Sequence, residues 1–507
     1  MVARINTVAF QGIDVRPVDV QVQISNGLPA FTIVGLPDKA VAESKERVRA
    51  ALHALGIALP PKRLTVNLAP ADLSKEGSHF DLPIALGVMA ALDIIPANEL
   101  ERYVVLGELS LDASIRAVAG ILPAALHAGS NDNHLICPKA CGGEAAWAGD
   151  LDILAPQDLL QLINHMKGTQ ILGRPEAQLS TEDAPMRVPD LSEVKGQELA
   201  KRALEITAAG GHNLMMCGPP GSGKSMLASC LPGILPPLSP KEALEVSMIH
   251  SLAGTLPEGG LIKTRPFRDP HHSASLPALV GGGQKAKPGE ISLAHHGVLF
   301  LDELPEFARG TLESLRQPLE TGKALVARVN QHVTYPANFQ LIAAMNPCRC
   351  GYLGDPDMEC TRAPRCGTDY QAKISGPLMD RFDLRVDVPA VTVADLGTKS
   401  GGERSETVRA RTLRALGMQA ARFKDFQAEM GGASINADMP AAMVEKIIAL
   451  DDGSRTMLAD AAEKLKLSAR AYHRLLRVAR TIADLDAQDN VQKHHVAEAL
   501  GFRPVRI

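Results

Sequence analysis

NLMMCGPPGSGKS, residues 213–225, contains the pattern G-x-x-x-x-G-K-[ST] between an apolar strand and the start of a helix. The glycines let the backbone curl so that successive N–H groups face phosphate oxygens at the positive end of the helix dipole. Lys224 is expected to reach the β- and γ-phosphates of a nucleotide, and the Ser225 hydroxyl to ligate Mg²⁺. The alternative is a glycine-rich turn without a ligand. The predicted nucleotide-binding residues are Gly218, Pro219, Pro220, Gly221, Ser222, Gly223, Lys224 and Ser225.

A second apolar strand ends in two adjacent carboxylates. Residues 298–301, VLFL, precede Asp302 and Glu303. Asp302 is expected to hold Mg²⁺, usually through water, and Glu303 to activate the water that attacks the γ-phosphate. A third strand, Phe339–Met345, ends at Asn346, whose amide is suited to orienting that water. An Asn-Pro pair also simply terminates strands, so both interpretations of Asn346 stay open.

Strand and helix signals alternate from Leu191 to Pro389, which predicts a parallel sheet with crossover helices. Residues 1–168 form a separate α/β unit in this interpretation. Residues 169–190 are polar with three prolines, as a linker is. Residues 395–507 show helical periodicity and almost no strand signal. The predicted division is therefore an α/β unit at 1–168, a linker at 169–190, an α/β core at 191–394 and a helical domain at 395–507.

The first α/β unit opens with a clear strand pattern. Val18, Val20, Val22 and Ile24 alternate with polar residues, the period of a half-buried strand. Asn26-Gly27 predicts a hairpin-type turn into a second strand at Leu28–Val34. Asp38 is placed to cap a helix that continues to Leu55.

Composition excludes several classes of protein. The chain has 507 residues, 45% hydrophobic and 22% charged, with a net charge of −4, so bulk charge does not favour coating nucleic acid. The longest apolar run, Phe80–Ile95, is interrupted by Asp81 and Asp93 and is shorter than the ~20 residues that a membrane span needs. The first fifteen residues lack the apolar core of a signal peptide. We therefore expect a cytoplasmic protein without a membrane partner.

Four of the eight cysteines lie close together in the sequence. Cys348, Cys350, Cys360 and Cys366 occur in a polar loop, residues 347–367, directly after the third strand. Four thiolates suit a closed tetrahedral Zn²⁺ site, which would order such a loop without catalysing a reaction. Free thiols or a redox pair are the alternative. The pairs His271-His272 and His295-His296 are expected to form hydrogen bonds or to pack rather than to bind metal.

Two arginines lie in sequences that resemble catalytic segments of known motors. Arg381, in SGPLMDRFDL, resembles the arginine-finger segment of the MCM and magnesium-chelatase branch of AAA+ proteins, and Arg470, in LSARAYHRLLRVAR, resembles that branch's sensor-2 helix. A finger acts on the neighbouring subunit's γ-phosphate, so the resemblance implies a ring. The alternative for Arg381 is a surface salt bridge with Asp380 or Asp383.

With these residues identified, the whole chain resembles the YifB/ComM group of magnesium-chelatase-like AAA+ ATPases. The matching runs include FTIVGLPDKAVAESKERVRAAL, VNLAPADLSKEGSHFDLPIALG, RPFRDPHHSAS and GEISLAHHGVLFLDELPEF. The resemblance implies a Lon-protease-like N-terminal domain, an AAA+ core and a helical lid. It also implies ATP and Mg²⁺ as cofactors and a homo-hexameric DNA helicase for branch migration during natural transformation, with recombination proteins as further partners.

A Lon-like domain raises the question of peptidase activity. Where Lon-type sites carry K-D-G-P-S-A-G, this chain has Lys75-Glu-Gly-Ser-His79-Phe-Asp81, with His79 in the nucleophile's place and Ser78 one position early. The run that should supply the partner lysine reads Ala119-Gly-Ile-Leu122. A serine without a base is not activated, so we expect a domain without peptidase activity.

The resemblance also implies two devices that contact DNA in a central pore. One is an insertion at Met248–Gly289 that carries Arg265, Arg268, Lys285 and Lys287. The other is a hairpin formed by Ala324–Val329 and His332–Tyr335. The pore residues would then be Arg328, Asn330 and His332. The alternative is a hairpin that only packs. Aromatic residues are 3% of the chain, so binding to phosphates rather than stacking on bases is expected.

Three functions compete at this stage. The first is an ATP-driven motor on branched or single-stranded DNA. The second is a chelatase-like remodelling ATPase that acts on a protein partner. The N-terminal domain and the cysteine cluster argue against it, since we expect chelatase motor subunits to resemble only the later part of the chain. The third is an ATP-dependent protease, which the missing serine–lysine pair disfavours.

Overall fold

The structure is a computed structural model, and it describes residues 2–177, 188–257, 260–283, 286–327, 332–353, 360, 362–392 and 402–503. These residues form an N-terminal α/β unit, a second α/β unit around a parallel sheet, and a C-terminal group of helices. The predicted α/β class with a helical C-terminal part is confirmed. Within the described ranges, none of the helices has the length and apolarity that crossing a bilayer requires.

The N-terminal unit is built on a seven-stranded sheet with the order β3-β4-β2-β1-β5-β8-β9. Its strands and helices are β1 (Val2–Gln11), β2 (Asp14–Ser25), β3 (Ala30–Val34), α1 (Lys39–Ala54), β4 (Arg63–Ala69), α2 (Asp81–Ala91), α3 (Ala97–Leu100), β5 (Tyr103–Val105), β6 (Glu108–Leu109), β7 (Ile115–Arg116), α4 (Ile121–Ser130), β8 (His134–Ile136), α5 (Gly142–Ala145), β9 (Ile153–Leu154) and α6 (Leu159–Met166). Helix α1 begins where expected, because the Asp38 side chain accepts a hydrogen bond from the Val41 amide.

The longest apolar run of the chain forms α2. Ten of its eleven residues are buried, as expected for a helix that is apolar on all sides. It contacts β1, β2 and α1. Its one acidic residue, Asp81, forms an ion pair with Arg47 at 2.6 Å, so the buried charge is compensated.

The predicted hairpin after β2 is wrong in its pairing. The second strand exists as β3, but it pairs in parallel with β4, and β4 lies between β3 and β2. Burial explains this order, because the alternating Leu64, Val66 and Leu68 of β4 are buried whereas β3 is half-exposed at the edge of the sheet. The strand that buries more apolar surface takes the inner position.

The second unit contains a five-stranded parallel sheet with the order β11-β14-β17-β10-β18. Its elements are α7 (Glu198–Gly210), β10 (Leu214–Cys217), α8 (Lys224–Ile234), α9 (Pro240–Ala253), β11 (Phe267–Arg268), α10 (Leu276–Val280), β12 (Gly281–Gly282), β13 (Lys287–Pro288), α11 (Glu290–Leu293), β14 (Val298–Leu301), α12 (Arg309–Ser314), α13 (Pro318–Thr321), β15 (Lys323–Ala327), β16 (His332–Pro336), β17 (Gln340–Met345), α14 (Arg365–Gln371), α15 (Gly376–Met379) and β18 (Leu384–Asp387).

The C-terminal helices pack on this second unit and share its hydrophobic core. They are α16 (Ser405–Lys424), α17 (Ala441–Ile447), α18 (Asp452–Lys464), α19 (Ala469–Leu485) and α20 (Lys493–Gly501). Leu475, Val478 and Ile482 of α19 are buried in one cluster with Leu204 of α7. These residues recur at intervals of three or four positions, so they form one apolar face that holds α19 against the core.

The N-terminal unit contacts the second unit through α4, α5 and α9. The Gly120 amide donates to the Ser251 carbonyl oxygen at 3.0 Å. The Ser251 hydroxyl donates to the carboxylate of the partly buried Glu144 at 2.5 Å. Lys263 lies over the Trp147 ring at 5.9 Å. These contacts join the N-terminal unit to the C-terminal end of α9 and to the segment that follows it.

Candidate nucleotide site and its surroundings

The phosphate-loop residues connect strand β10, which lies between β17 and β18, to helix α8. Gly221 and Gly223 have φ angles of +75° and +88°, in the left-handed region that disfavours other residues. At Gly218 a Cβ atom would lie 2.0 Å from the Val388 carbonyl oxygen, so only glycine fits beside β18. The sequence therefore specifies this loop through backbone conformation and close packing.

The Lys224 ammonium group lies folded over the loop. It donates to the Gly218 and Pro219 carbonyl oxygens, both at 2.8 Å, and its distance to the Asn346 amide oxygen is 3.4 Å. Burial lowers the pKa of Lys224, with Asp302 acting in the opposite direction. The structure thus brings Lys224 and Asn346 together, although β10 and β17 are separate strands.

Ser225 and Asp302 form the other half of the arrangement. The Ser225 hydroxyl donates to the Asp302 carboxylate at 2.7 Å, and Asp302 directly follows β14. Strands β10, β17 and β14 are parallel neighbours, so their carboxyl ends meet at one edge of the sheet. Two adjacent oxygen ligands suit Mg²⁺, which takes few protein ligands and keeps several waters. Glu303 is half-exposed beside them, with a φ of +50°.

His272 contacts the predicted base, which the sequence interpretation missed. Its Nδ1 atom lies 3.3 Å from the Glu303 carboxylate. His271 fits the expected role, because its Nδ1 lies 2.8 Å from the Ser273 hydroxyl and its ring stacks on that of His272. The contact has a topological reason: β11, which precedes these histidines, is the neighbour of β14.

Asp269 is a second missed residue at this edge. Burial raises its pKa, and the nearby Asp302 carboxylate acts in the same direction. The other histidine pair forms hydrogen bonds, and with Glu245 it also makes a group of three side chains that could hold a metal ion. His295 Nδ1 accepts from the Asn338 amide at 3.0 Å, and His296 Nε2 lies 2.9 Å from Glu245.

The two predicted catalytic arginines meet at a different place, on Glu320 of α13. Arg381 is buried and forms an ion pair with Glu320. Arg470 is exposed, and its Nη2 lies 3.8 Å from the same carboxylate oxygen. The alternative partners considered for Arg381 are therefore wrong: the ion pair is with Glu320, and Asp383 pairs with Arg474 at 3.2 Å. Burial lowers the pKa of Arg381, against the effect of Glu320.

Each of the four clustered cysteines lies next to two others of the set. Cys348 Sγ is 3.2 Å from Cys350 Sγ. The Cys360 thiol contacts those of Cys350 and Cys366, and Cys366 also contacts Cys348. Residues 354–359 and 361, between the two halves of the set, are outside the described residues. Four neighbouring thiols in a polar loop are a donor set of the type that binds tetrahedral Zn²⁺.

The hairpin predicted to contact DNA forms as β15 and β16, with Ala327 opposite His332 at its described end. Arg328 and Asn330 lie outside the described residues, and His332 is placed only by its backbone in β16. The hydroxyl of Tyr335 donates to the Ala286 carbonyl oxygen at 2.8 Å, which joins the hairpin to the insertion.

Two basic residues of the insertion, which were expected from the sequence to contact DNA, are paired with groups of the protein itself. Arg265 donates to the Pro236 carbonyl oxygen at 2.7 Å and lies 3.4 Å from Glu242. Arg268 forms two hydrogen bonds to Glu290, at 2.6 and 2.9 Å. Both guanidinium groups are used inside the protein, because a partly buried arginine needs carboxylate or carbonyl partners.

In the segment that was compared with Lon-type sites, the serine and the lysine have other partners. The Ser78 hydroxyl donates to Glu108, and the buried Lys75 donates to the Pro70 carbonyl oxygen. His79 Nε2 lies 2.9 Å from the Val8 carbonyl oxygen, and burial lowers the pKa of His79 to about 4. A serine–lysine pair, which is what a Lon-type site needs to activate its serine, is not among these contacts.

A parallel sheet with a phosphate loop after the inner strand β10, two carboxylates after the nearby strand β14 and a helical C-terminal part fit an AAA+ protein of the magnesium-chelatase type. The family comparisons agree. Family models described as magnesium chelatase, subunit ChlI, as subunit ChlI of Mg-chelatase, and as its C-terminal part match residues 190–396, 20–141 and 402–503.

Similar proteins narrow this class to one family. The chain is 44% identical over 502 residues to competence protein ComM of Haemophilus influenzae, covering 98% of this chain and 96% of that protein. It is 43% identical over 502 residues to the uncharacterized protein YifB of Escherichia coli, covering 99% and 97%. The chain belongs to the ComM/YifB family of magnesium-chelatase-like AAA+ proteins. The magnesium-chelatase 38 kDa subunit of Rhodobacter capsulatus is 27% identical over 214 residues, 39% of this chain and 55% of that subunit.

Proposed function

We propose that this protein is an ATP-hydrolysing, ring-forming motor that acts on DNA. The observation that carries the proposal is the meeting of Lys224, Ser225, Asp302, Glu303 and Asn346 at one edge of a parallel sheet. Ligands of such sheets bind outside the carboxyl ends of the strands. Family membership supports ATP and Mg²⁺ as the cofactors.

Each residue at this edge has a chemical task in the proposal. The loop amides and Lys224 hold the phosphates, and Ser225 and Asp302 supply oxygen ligands for Mg²⁺, which neutralises charge on the phosphate oxygens. Glu303 accepts the proton of the attacking water, and Asn346 orients that water.

A ring completes the site in this account. Arg381 and Arg470 do not lie on the phosphate loop but on Glu320. We propose that both act on the γ-phosphate bound by a neighbouring subunit of a homo-hexamer. An arginine supplied by a neighbour is worth roughly 10³–10⁵ in turnover in other phosphoryl-transfer enzymes.

DNA is the proposed substrate of the motor. The similarity over nearly the full chain to a protein named for competence supports a role with DNA during natural transformation. We propose branch migration of single-stranded or branched DNA in the cytoplasm, together with recombination proteins. Arg328, Asn330 and His332 are the proposed contacts, and a hairpin that only packs remains the alternative.

The cysteine cluster is proposed to bind one structural Zn²⁺. Its contacts support the set Cys348, Cys350, Cys360 and Cys366. A closed set of four thiolates leaves no open position for catalysis, so the metal would order residues 347–367 beside the phosphate loop. The domain boundaries at 168, 190 and 394 are likewise proposed.

Steady-state ATP hydrolysis with and without forked DNA, at low salt, tests the proposed function. We expect DNA to stimulate the wild-type protein and Lys224→Ala to show no activity in either condition. Stimulation should fall steeply with salt and vary little with DNA sequence, because the contacts are to phosphates. If neither forked nor single-stranded DNA stimulates hydrolysis, the helicase proposal is abandoned.

A chelatase-like remodelling ATPase that acts on a protein partner is the second candidate. The match of residues 20–141 to a chelatase-subunit description favours it and removes the expectation that chelatase subunits match only the later part of the chain. A partner protein that stimulates hydrolysis when DNA does not would support this candidate.

A further inference from the structure

Glu320 lies where two arginines with proposed catalytic roles meet. It belongs to the short helix α13, and its side chain is 50% exposed. Arg381 arrives from the end of α15 and Arg470 from the start of α19, so three separate elements converge on one carboxylate. The contact is not local, because Glu320 and Arg381 are 61 positions apart.

Nearby charges are already paired, which makes Glu320 the shared counter-ion. Arg316 pairs with Glu313 at 2.9 Å, and Arg474 pairs with Asp383 at 3.2 Å. Among the described residues, the ion pairs of Arg381 and Arg470 are both with Glu320. Two guanidinium groups on one carboxylate leave an excess positive charge, and such a cluster attracts a polyanion.

Burial shows that Arg381 is held inside its own subunit. Its side chain is 4% exposed, and its Nη1 donates to the Pro377 carbonyl oxygen at 2.5 Å. Its Nε is buried without a hydrogen-bond partner, so the group has donor capacity left. A cavity of about 750 Å³ lies beside it, with Arg316, Glu320 and Arg381 in its lining. The ion pair is therefore reachable from one side.

We propose that Glu320 is an internal counter-ion that Arg381 exchanges for the triphosphate bound by the neighbouring subunit. The inference rests on the proposed action of Arg381 across the ring. Before assembly, Glu320 compensates a guanidinium that would otherwise be buried and unpaired. On assembly, the γ-phosphate offers more charge to the same donors and displaces the carboxylate. Glu320 is thus a positioning residue that opposes assembly without touching the nucleotide.

Mixed rings of the full-length protein test the exchange. Arg381→Ala keeps its own Glu303, and Glu303→Gln keeps its own Arg381, so the two inactive variants should restore hydrolysis when mixed. Glu320→Gln is then added either to the chain that supplies Arg381 or to the chain that lacks it. We expect the first addition to lower the total protein concentration for half-maximal activity by roughly fivefold, the size of one partly exposed ion pair. The second addition should have a much smaller effect.

Two further variants control for folding and for general charge effects. Glu313→Gln on the Arg381-supplying chain removes a nearby carboxylate that pairs with Arg316, and it should not shift the half-maximal concentration. Glu320→Asp keeps the charge but shortens the side chain, and it should shift that concentration in the same direction as Glu320→Gln by less. Thermal melting identifies any variant that fails to fold.

The outcomes distinguish a failure of the Glu320 exchange from a failure of the proposed action of Arg381 across the ring. An unchanged or higher half-maximal concentration for folded Glu320→Gln and Glu320→Asp overturns the exchange, as does an equal effect on both chains. If Arg381→Ala and Glu303→Gln do not complement at all while the wild type is active, the action of Arg381 across the ring is wrong, and the exchange falls with it.

Discussion

The phosphate-loop edge and the Glu320 cluster differ in how complete they are within one chain. At the loop edge, Lys224 reaches its carbonyl partners at 2.8 Å and Ser225 reaches Asp302 at 2.7 Å. At the cluster, Arg381 is buried against Glu320. The groups proposed to bind nucleotide therefore lie together within one chain. The two arginines proposed to act on the γ-phosphate are instead paired with Glu320.

In the proposed function, this difference separates the groups that depend on ring assembly from those that do not. In the proposed ring, the groups that bind the nucleotide need no neighbour, whereas Arg381 and Arg470 act only on the nucleotide of a neighbouring subunit. Variants at the loop edge should therefore act on each chain independently. Variants at the cluster should depend on how many chains assemble and which neighbours they have.

The largest effect is expected at the loop edge. Lys224→Ala should abolish nucleotide binding, because the ammonium group holds phosphate in the ground state. Glu303→Gln should keep binding and lower hydrolysis by roughly 10²–10⁴, the usual contribution of a general base. Equilibrium binding of a fluorescent ATP analogue and phosphate release measure the two effects. Wild-type hydrolysis by Glu303→Gln would show that the base is another residue.

The next largest effect is expected at Arg381 in the Glu320 cluster. Arg381→Ala should lower turnover by roughly 10³ or more while nucleotide binding stays intact. Added to the wild type at increasing ratios, it should inhibit beyond simple dilution, because each variant chain disables the site of its neighbour. A titration of phosphate release against the fraction of variant chains measures this. A strictly linear decline would mean that the chains work independently.

Metal analysis and metal removal test the proposed zinc site in residues 347–367. We expect one tightly bound zinc per chain after purification without added metal. A strong chelator should release it and lower the melting temperature, since metal binding and ordering of the loop are coupled. Cys230→Ser, at a buried cysteine outside the cluster, is the matched control and should keep the metal. Protein without zinc and with four titratable thiols in residues 347–367 would contradict the assignment.

His272 is expected to have a moderate effect on the chemical step. His272→Ala should lower the maximal rate of hydrolysis roughly tenfold at unchanged nucleotide affinity, because its contact at 3.3 Å orients the half-exposed Glu303. His271→Ala is the matched control, since that ring contacts Ser273 instead. Equal losses in both variants would indicate a general disturbance of the segment.

The smallest effect is expected at the hairpin. Arg328→Ala should weaken DNA-stimulated turnover by a few-fold, about what one phosphate contact contributes, and leave basal nucleotide binding intact. Titration with forked DNA at low salt measures the change, and Lys323→Ala at the hairpin's base serves as a comparison. If stimulation is unchanged in Arg328→Ala, this residue does not contact DNA.

Local pattern made the loop edge predictable from sequence. Gly221 and Gly223 are required by their φ angles, and the apolar strand before Asp302 is a local signal. Strand order was harder. The Asn26-Gly27 turn predicts a hairpin, but burial of Leu64, Val66 and Leu68 places β4 between its strands, which no local signal encodes.

Contacts between distant side chains could not be predicted. Glu320 is an acidic residue in a four-residue helix with no motif around it, and its meeting with Arg381 and Arg470 depends on three elements. The contact of His272 with Glu303 could have been predicted once the strand order was known, because His272 follows β11, which neighbours β14. Arg265 and Arg268 resembled free basic residues, but Glu242 and Glu290 pair with them.

The dependence of hydrolysis per chain on protein concentration tests the central claim most directly. If the site is complete only between subunits, activity per chain should rise with concentration, and forked DNA should shift that rise to lower concentration because it binds the ring better than free protomers. DNA stimulation should accordingly be greatest in dilute protein. Activity per chain that is constant across dilution in an unassembled protein, with or without DNA, would contradict the account.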